Sequence, residues 1–194
     1  MTTELAEPLV LSHTALLVMD FQAGLLSRLP QAEELLRAAR QTIDLVRRHG
    51  MTVAYVRVAF ADGEAPGGRM GKLVTPELLA SVHVDAPGSQ IHSHVAPQPD
   101  DIVVRKVRVG PFGSTDLDEQ LRAKGIDTVV LAGLTTSGVV LTAVRDAHDR
   151  DYRVIVLADL TADPDPSVQN FLLERIFPLQ AEVITSDELR RSLG

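Results

Sequence analysis

No cysteine occurs in this chain of 194 residues. That absence removes disulfides, thiolate metal sites and any thiol nucleophile, and it leaves the redox compartment undetermined. A surplus of positive charge is missing too. The formal net charge is −7 and the sequence pI is near 5.3, which argues against a nucleic-acid groove or an anionic membrane surface as partner. No apolar run approaches the length needed to span a bilayer. The first residues, MTTELAEPLVLSHTALLVMD, carry no basic flank ahead of their apolar part, so a signal peptide is not expected and the cytoplasm is the default location. No G-x-G-x-x-G follows any candidate strand. The Gly-rich piece PGGRMGKL (66–73) lacks the spacing and the Ser/Thr of a Walker A loop, so it reads as a loop and not as a nucleotide cradle.

What is present is the composition of an ordinary soluble globular protein, 45% apolar and 23% charged, long enough for a substantial core in one domain, residues 1–194. Thr128 to Ala147 organises the rest. It begins as the continuous apolar run a doubly buried strand needs, breaks at Gly133, and resumes with helical spacing from Ser137. A small-residue turn between a buried strand and a helix offers backbone N–H groups and side chains at the carboxyl edge of a sheet, where open α/β folds bind ligands. Other strand candidates are Ala15 to Met19, Thr52 to Val58, Ile102 to Val104, Arg153 to Leu157 and Ala181 to Ile184. Helices are expected over Pro30 to His49, Asp116 to Lys124 and Pro166 to Phe177, and Thr185 with Glu188 makes a capping box for a last short one. Strands alternating with helices predict a three-layer α/β/α fold with a mainly parallel sheet. Between Ala59 and Asp101 the pattern weakens into Gly-rich and Pro-rich stretches around one possible helix, Pro76 to Val82, as a functional loop or lid does.

Three strand ends carry groups that can meet in one crevice: Asp20 with Phe21 and Gln22 after the first, Lys106 after the third, and the turn Thr135, Thr136, Ser137, Gly138, Val139 after the fourth. A carboxylate and an ammonium there tune each other's proton affinity. A structural ion pair fits the same spacing. His92 and His94 would point the same way in an extended segment, with His83 and Asp85 upstream. Two ligands without a third read as solvated or substrate-facing histidines, so no metal is expected. His148 reads as structural. Arg57 and Arg108 join His92 and His94 as possible anion contacts.

LLVMDFQAGL, VVRKVRVGPFGSTDLDEQL and LAGLTTSGVVLTAVRDAHDRDYRVIVLADLTAD resemble, in order and from about residue 14 to 185, the three signature regions of the isochorismatase-like (cysteine hydrolase) superfamily. The resemblance implies a six-stranded sheet, no cofactor, a small-molecule substrate, and a homodimer or homotetramer. It assigns the family's Asp and Lys to Asp20 and Lys106, and family positions downstream of the Lys to Phe112 and Leu117. The substrate is expected to meet Gln22, Phe112 and residues Thr135, Thr136, Ser137, Gly138 and Val139. A cis peptide is implied at Leu134-Thr135, with the amides of Gly138 and Val139 aimed into the pocket. The family's T-S-G-C-V turn aligns on residues 136–140, which puts Val139 in the place of the nucleophilic cysteine. An isopropyl group forms no thioester, so the usual covalent amide hydrolysis is excluded. The Asp-x-His metal motif of nicotinamidases is also missing from VRVAFADGE. True isochorismatases, by resemblance, split a vinyl ether without a thiol, their Asp acting as general acid assisted by the Lys. Three readings follow: a thiol-independent hydrolase of a small carboxylated metabolite using Asp20 and Lys106, an inactive relative that binds a small molecule or partner, and a hydrolase recruiting Ser137 or Thr136.

Overall fold

The computed structural model describes residues 5–64 and 75–194; the Gly-rich piece at 66–73 lies outside the described residues. Six strands form one parallel sheet: β1 (Thr14–Met19), β2 (Thr52–Val58), β3 (Ile102–Lys106), β4 (Thr128–Leu134), β5 (Arg153–Ala162) and β6 (Glu182–Ile184). Their spatial order is β3-β2-β1-β4-β5-β6, every neighbouring pair parallel. All six residues of β1 and all seven of β4 are buried, as strands covered on both faces must be.

Side-chain alternation along β1 divides the core in two. Leu17 and Met19 face one side with α4 (Leu117–Ala123) and α5 (Leu141–His148), through Leu117, Leu121, Ala143 and Val144. Leu16 and Val18 face the other with α2 (Ala32–Arg48) and α7 (Ser186–Leu193), through Leu36, Ile43, Val46 and Leu189. Gly50 and Gly125 end α2 and α4 with φ of 73° and 71°, a conformation that glycine adopts without cost. The capping box at the start of α7 is present, Thr185 bonding Glu188 in both directions.

Several boundaries differ from the sequence pattern for identifiable reasons. β4 does not break at Gly133 but runs on to Leu134, since Gly133 pairs in register with Met19. A Cβ on Gly133 would sit 3.1 Å from that of Met19, so the glycine is favoured there by close packing and not by a turn. β5 continues five residues beyond Leu157 to Ala162, across an irregularity opposite Leu131 and Gly133. The helix expected over Pro166 to Phe177 is α6 (Pro166–Phe171) followed by a π turn at Leu172–Ile176. Short helices α1 (Ala23–Leu26) and α3 (Pro76–Ser81) flank the sheet's carboxyl edge.

Leu131 is fully buried in β4 among the residues that meet α4 and α5. Leu131→Ala is expected to lower stability by ~2–5 kcal/mol through lost burial and the cavity left behind. Chemical denaturation followed by circular dichroism measures it.

Candidate active site

The chain leaves β1 through Asp20, whose φ of 61° lies in the left-handed region that Asp tolerates better than most residues. Its N–H donates to Val56 O at 2.8 Å, which holds that backbone against β2. Lys106 closes β3, and its N–ζ group reaches Asp20 Oδ2 at 2.7 Å and Val109 O at 2.7 Å. Both side chains are buried, at 5% and 3% exposure, which makes this a desolvated ion pair and not a surface one. Asp20 Oδ1 is buried with no hydrogen-bond partner. Burial raises the Asp20 carboxyl above its ordinary value, and the neighbouring ammonium opposes that rise.

After β4 comes the cis peptide Leu134-Thr135, as the resemblance implied. A π turn over Thr136–Val140 leads into α5. The turn is held from outside. Thr136 Oγ1 donates to Gln169 Oε1, and Gln169 Nε2 in turn donates to Thr161 O at 3.2 Å. Ser137 N–H donates to Asp163 Oδ2 at 2.8 Å. The Gly138 amide is directed to Thr135 O at 3.2 Å, which corrects the expectation that it stands open toward the pocket: the π turn closes on it.

A cavity of about 280 Å³ opens over the pair, with Asp20, Lys106, Thr135, Gly138 and Val139 in its wall. The rest of that wall is mainly apolar, including Leu29, Phe60, Val82 and Leu134. Val139 is buried, yet its isopropyl group leaves the cavity open.

Four of the expected contact residues lie away from this cavity. Gln22 is fully buried and spends its amide on the backbone, donating to Val58 O and Ser89 O and accepting from Val58 N–H, so it ties the 87–89 turn to the end of β2. Phe112 packs in the core beside Tyr152, ring centroids 6.0 Å apart, with Leu117 in the same cluster. Thr136 is engaged with Gln169, and Ser137 is exposed on the outer side of the turn. His92 and His94 line a separate surface groove with Arg37 and Arg40. His83 faces the exposed carboxylates of Asp62 and Asp85, and His148 is exposed at the end of α5. Arg57 donates to Ser89 O at 3.2 Å. Among the described residues no three His, Asp or Glu side chains are grouped to hold a metal ion.

From the weak segment after Ala59, Phe60, Leu78 and Val82 do reach the cavity. Sequence reasoning missed Leu25, Arg28 and Leu29, whose i, i+3, i+4 spacing just after Asp20 was the available signal. It also missed Gln169 and Asp163, which lie some thirty residues after the turn and carry no local pattern.

Removing one partner of the buried pair strands the other. Asp20→Ala is expected to cost ~3–5 kcal/mol by leaving the Lys106 ammonium unpaired. The double change Asp20→Asn with Lys106→Met should cost clearly less than the sum of its two single changes. Urea denaturation of the four chains measures this. A raised carboxyl stabilises the fold below its ordinary titration range, and that contribution disappears as pH rises through the raised value. The stability of Lys106→Met should therefore fall with rising pH more steeply than that of the double variant.

The isochorismatase domain family matches residues 14–188. An uncharacterized isochorismatase family protein of Bacillus subtilis, YwoC, is 30% identical over 90% of this chain and 91% of its own length. The ureidoacrylate amidohydrolase RutB of Stutzerimonas stutzeri is 30% identical over 82% of this chain and 75% of its own. Among solved structures, a cysteine hydrolase from Pseudomonas syringae superposes with a TM-score of 0.87 at 27% identity, covering 99% of this chain and 97% of that one. N-carbamoylsarcosine amidase from Thermoplasma acidophilum gives 0.75 at 32% identity, covering 90% and 96%. With its parallel sheet, its Asp20–Lys106 pair at the carboxyl edge and this extent of matching sequence, the chain belongs to the isochorismatase family.

Proposed function

We propose that the protein is a thiol-independent hydrolase of a small carboxylated metabolite, with Asp20 as general acid and base and Lys106 as its partner. One observation carries this reading: a buried carboxyl with one unpartnered oxygen, beside an ammonium 2.7 Å away, in the wall of an apolar cavity. Chemistry that passes through a side-chain sulfur is closed to a chain without cysteine. The names of the amide-cleaving relatives therefore do not transfer their route to this cavity.

Enol-ether hydrolysis needs no nucleophilic side chain. A carboxylic acid protonates the terminal methylene carbon, forming a C–H bond and an oxocarbenium ion. Water adds to the cationic carbon and gives its proton back to the carboxylate. The resulting hemiketal collapses, breaking the ether C–O bond to release an alcohol and a 2-oxo acid. Asp20 suits both proton transfers, because burial favours its neutral form before the first and Lys106 stabilises its anion afterwards. Thr136 and Ser137 offer no competing nucleophile: one hydroxyl is bonded to Gln169 and the other residue lies outside the cavity.

The probe is 2-phenoxyacrylate, with pyruvate release followed by a coupled dehydrogenase. Asp20→Asn is expected to lower turnover by roughly 10²–10⁴-fold while circular dichroism stays unchanged. The acid must be protonated to act, so kcat/KM should decline as pH rises through the raised Asp20 value. Wild-type activity that survives Asp20→Asn would refute the assignment. Binding of the probe without turnover would favour a ligand-binding relative instead.

A further inference from the structure

Two cations of the cavity wall have no part in the proton transfers. Arg28 follows α1, and Arg108 lies two residues beyond Lys106. Both are exposed, so they stand at the rim and not at the floor. Arg108 donates to the carbonyl oxygen of Val107 at 2.7 Å, and its other donors have no partner among the described residues. Neither arginine forms an ion pair among the described residues, in a chain where acidic side chains outnumber basic ones by 26 to 19. Other arginines do find carboxylates: Arg105 takes Glu64 and Arg153 takes Glu182. The carboxyl of the exposed Glu77 is held down first by its own backbone N–H, then by the Thr75 hydroxyl, and last by Arg28.

When ionised, Asp20 cancels Lys106, and the ionisable groups of the described wall leave an excess of two positive charges; with Asp20 protonated the excess is three, in either case favouring an anion in an otherwise apolar cavity. Low-dielectric walls focus such a field toward an entering anion. A planar guanidinium also matches a carboxylate better than it matches a neutral amide.

We infer that Arg28 and Arg108 are specificity-determining residues: they reach in from the rim to hold the substrate carboxylate, so that the reacting methylene, two bonds from the carboxyl carbon, meets Asp20 while the apolar body lies along Leu29 and Val139. This rests on the cavity being the substrate site, and it adds which group of the ligand is held and which residues select it. The corresponding neutral amide, of nearly the same shape, is rejected because it offers the arginines no charge.

Two probes separate this from the hydrolase reading: 2-phenoxyacrylate and its neutral counterpart 2-phenoxyacrylamide. Each is titrated into the full wild-type chain, Arg28→Gln, Arg108→Gln and the double variant, reading Kd by calorimetry where there is no turnover and KM against kcat where there is. The wild type is expected to prefer the carboxylate by about a hundredfold. Each single change should weaken carboxylate binding by roughly tenfold, acting mainly on KM, with amide affinity retained. In the double variant the preference should vanish, and in the wild type it should shrink in high salt. A preference that persists in the double variant, a wild type that does not discriminate, or a wild type that does not bind the carboxylate overturns the inference. Arginine-dependent preference without any hydrolysis leaves the inference standing and removes the hydrolase reading. Hydrolysis whose KM ignores both arginines does the reverse.

Discussion

The buried pair between Asp20 and Lys106 is the constraint on which the carboxyl edge of this sheet depends. Taking a carboxylate and an ammonium out of water is expensive, and a short contact repays that only where geometry is fixed. Here β2 lies between the strands that supply the two residues. Neighbouring strands are ~4.8 Å apart, so β1 and β3 are separated by about 10 Å, and only a long side chain closes the gap. Lysine does so across the end of β2, where Ala59 N–H bonds Lys106 O and Gln22 fastens both polar groups of Val58. The left-handed backbone at Asp20 turns the chain out of β1 at the point where the carboxyl is needed.

Much of this was legible in the sequence because it rests on periodicity and on strand ends. The apolar runs of β1 and β4 announced doubly buried strands, and a parallel sheet brings strand ends to one edge whatever the loops do. That was enough to bring Asp20, Lys106 and the Thr135–Val139 turn into one neighbourhood. What the pattern could not distinguish was the direction of individual side chains within it. Gln22 is two residues from Asp20 and points into the backbone of β2, while Leu25 in α1, and Arg28 and Leu29 in the turn that follows it, line the cavity. Gly133 resembled a break because glycine often ends a strand. It sits where Met19 and Val140 would crowd a Cβ to 3.0–3.2 Å. Pairings such as Thr136 with Gln169 span 33 residues and depend on packing of α6 that no local signal encodes.

The turn after β4 keeps its architecture independently of the residue at position 139. Its fixings are Gln169 on Thr136, Asp163 on the Ser137 amide, and the Thr142 hydroxyl on Gly138 O at 2.9 Å. None involves the side chain of Val139. The methyl groups of Val139 join the cluster between the sheet and α5. Exchange of a thiol for an isopropyl group at this position, as the family resemblance implies, would remove a reactive atom while leaving those fixings in place.

What such an exchange does to the electrostatics follows from burial. A thiolate beside Lys106 would compete with Asp20 for the ammonium; valine does not, so the whole of that charge is directed at one carboxylate and at Val109 O. Burial raises the Asp20 carboxyl above its ordinary value while that ammonium opposes the rise. Under the reading proposed above, the pair acts as the proton-transfer centre itself. Its carboxyl faces a mainly apolar chamber beside the Lys106 ammonium, with Arg28 and Arg108 at the rim, and the bonds suited to it are those that protonation followed by water addition can break.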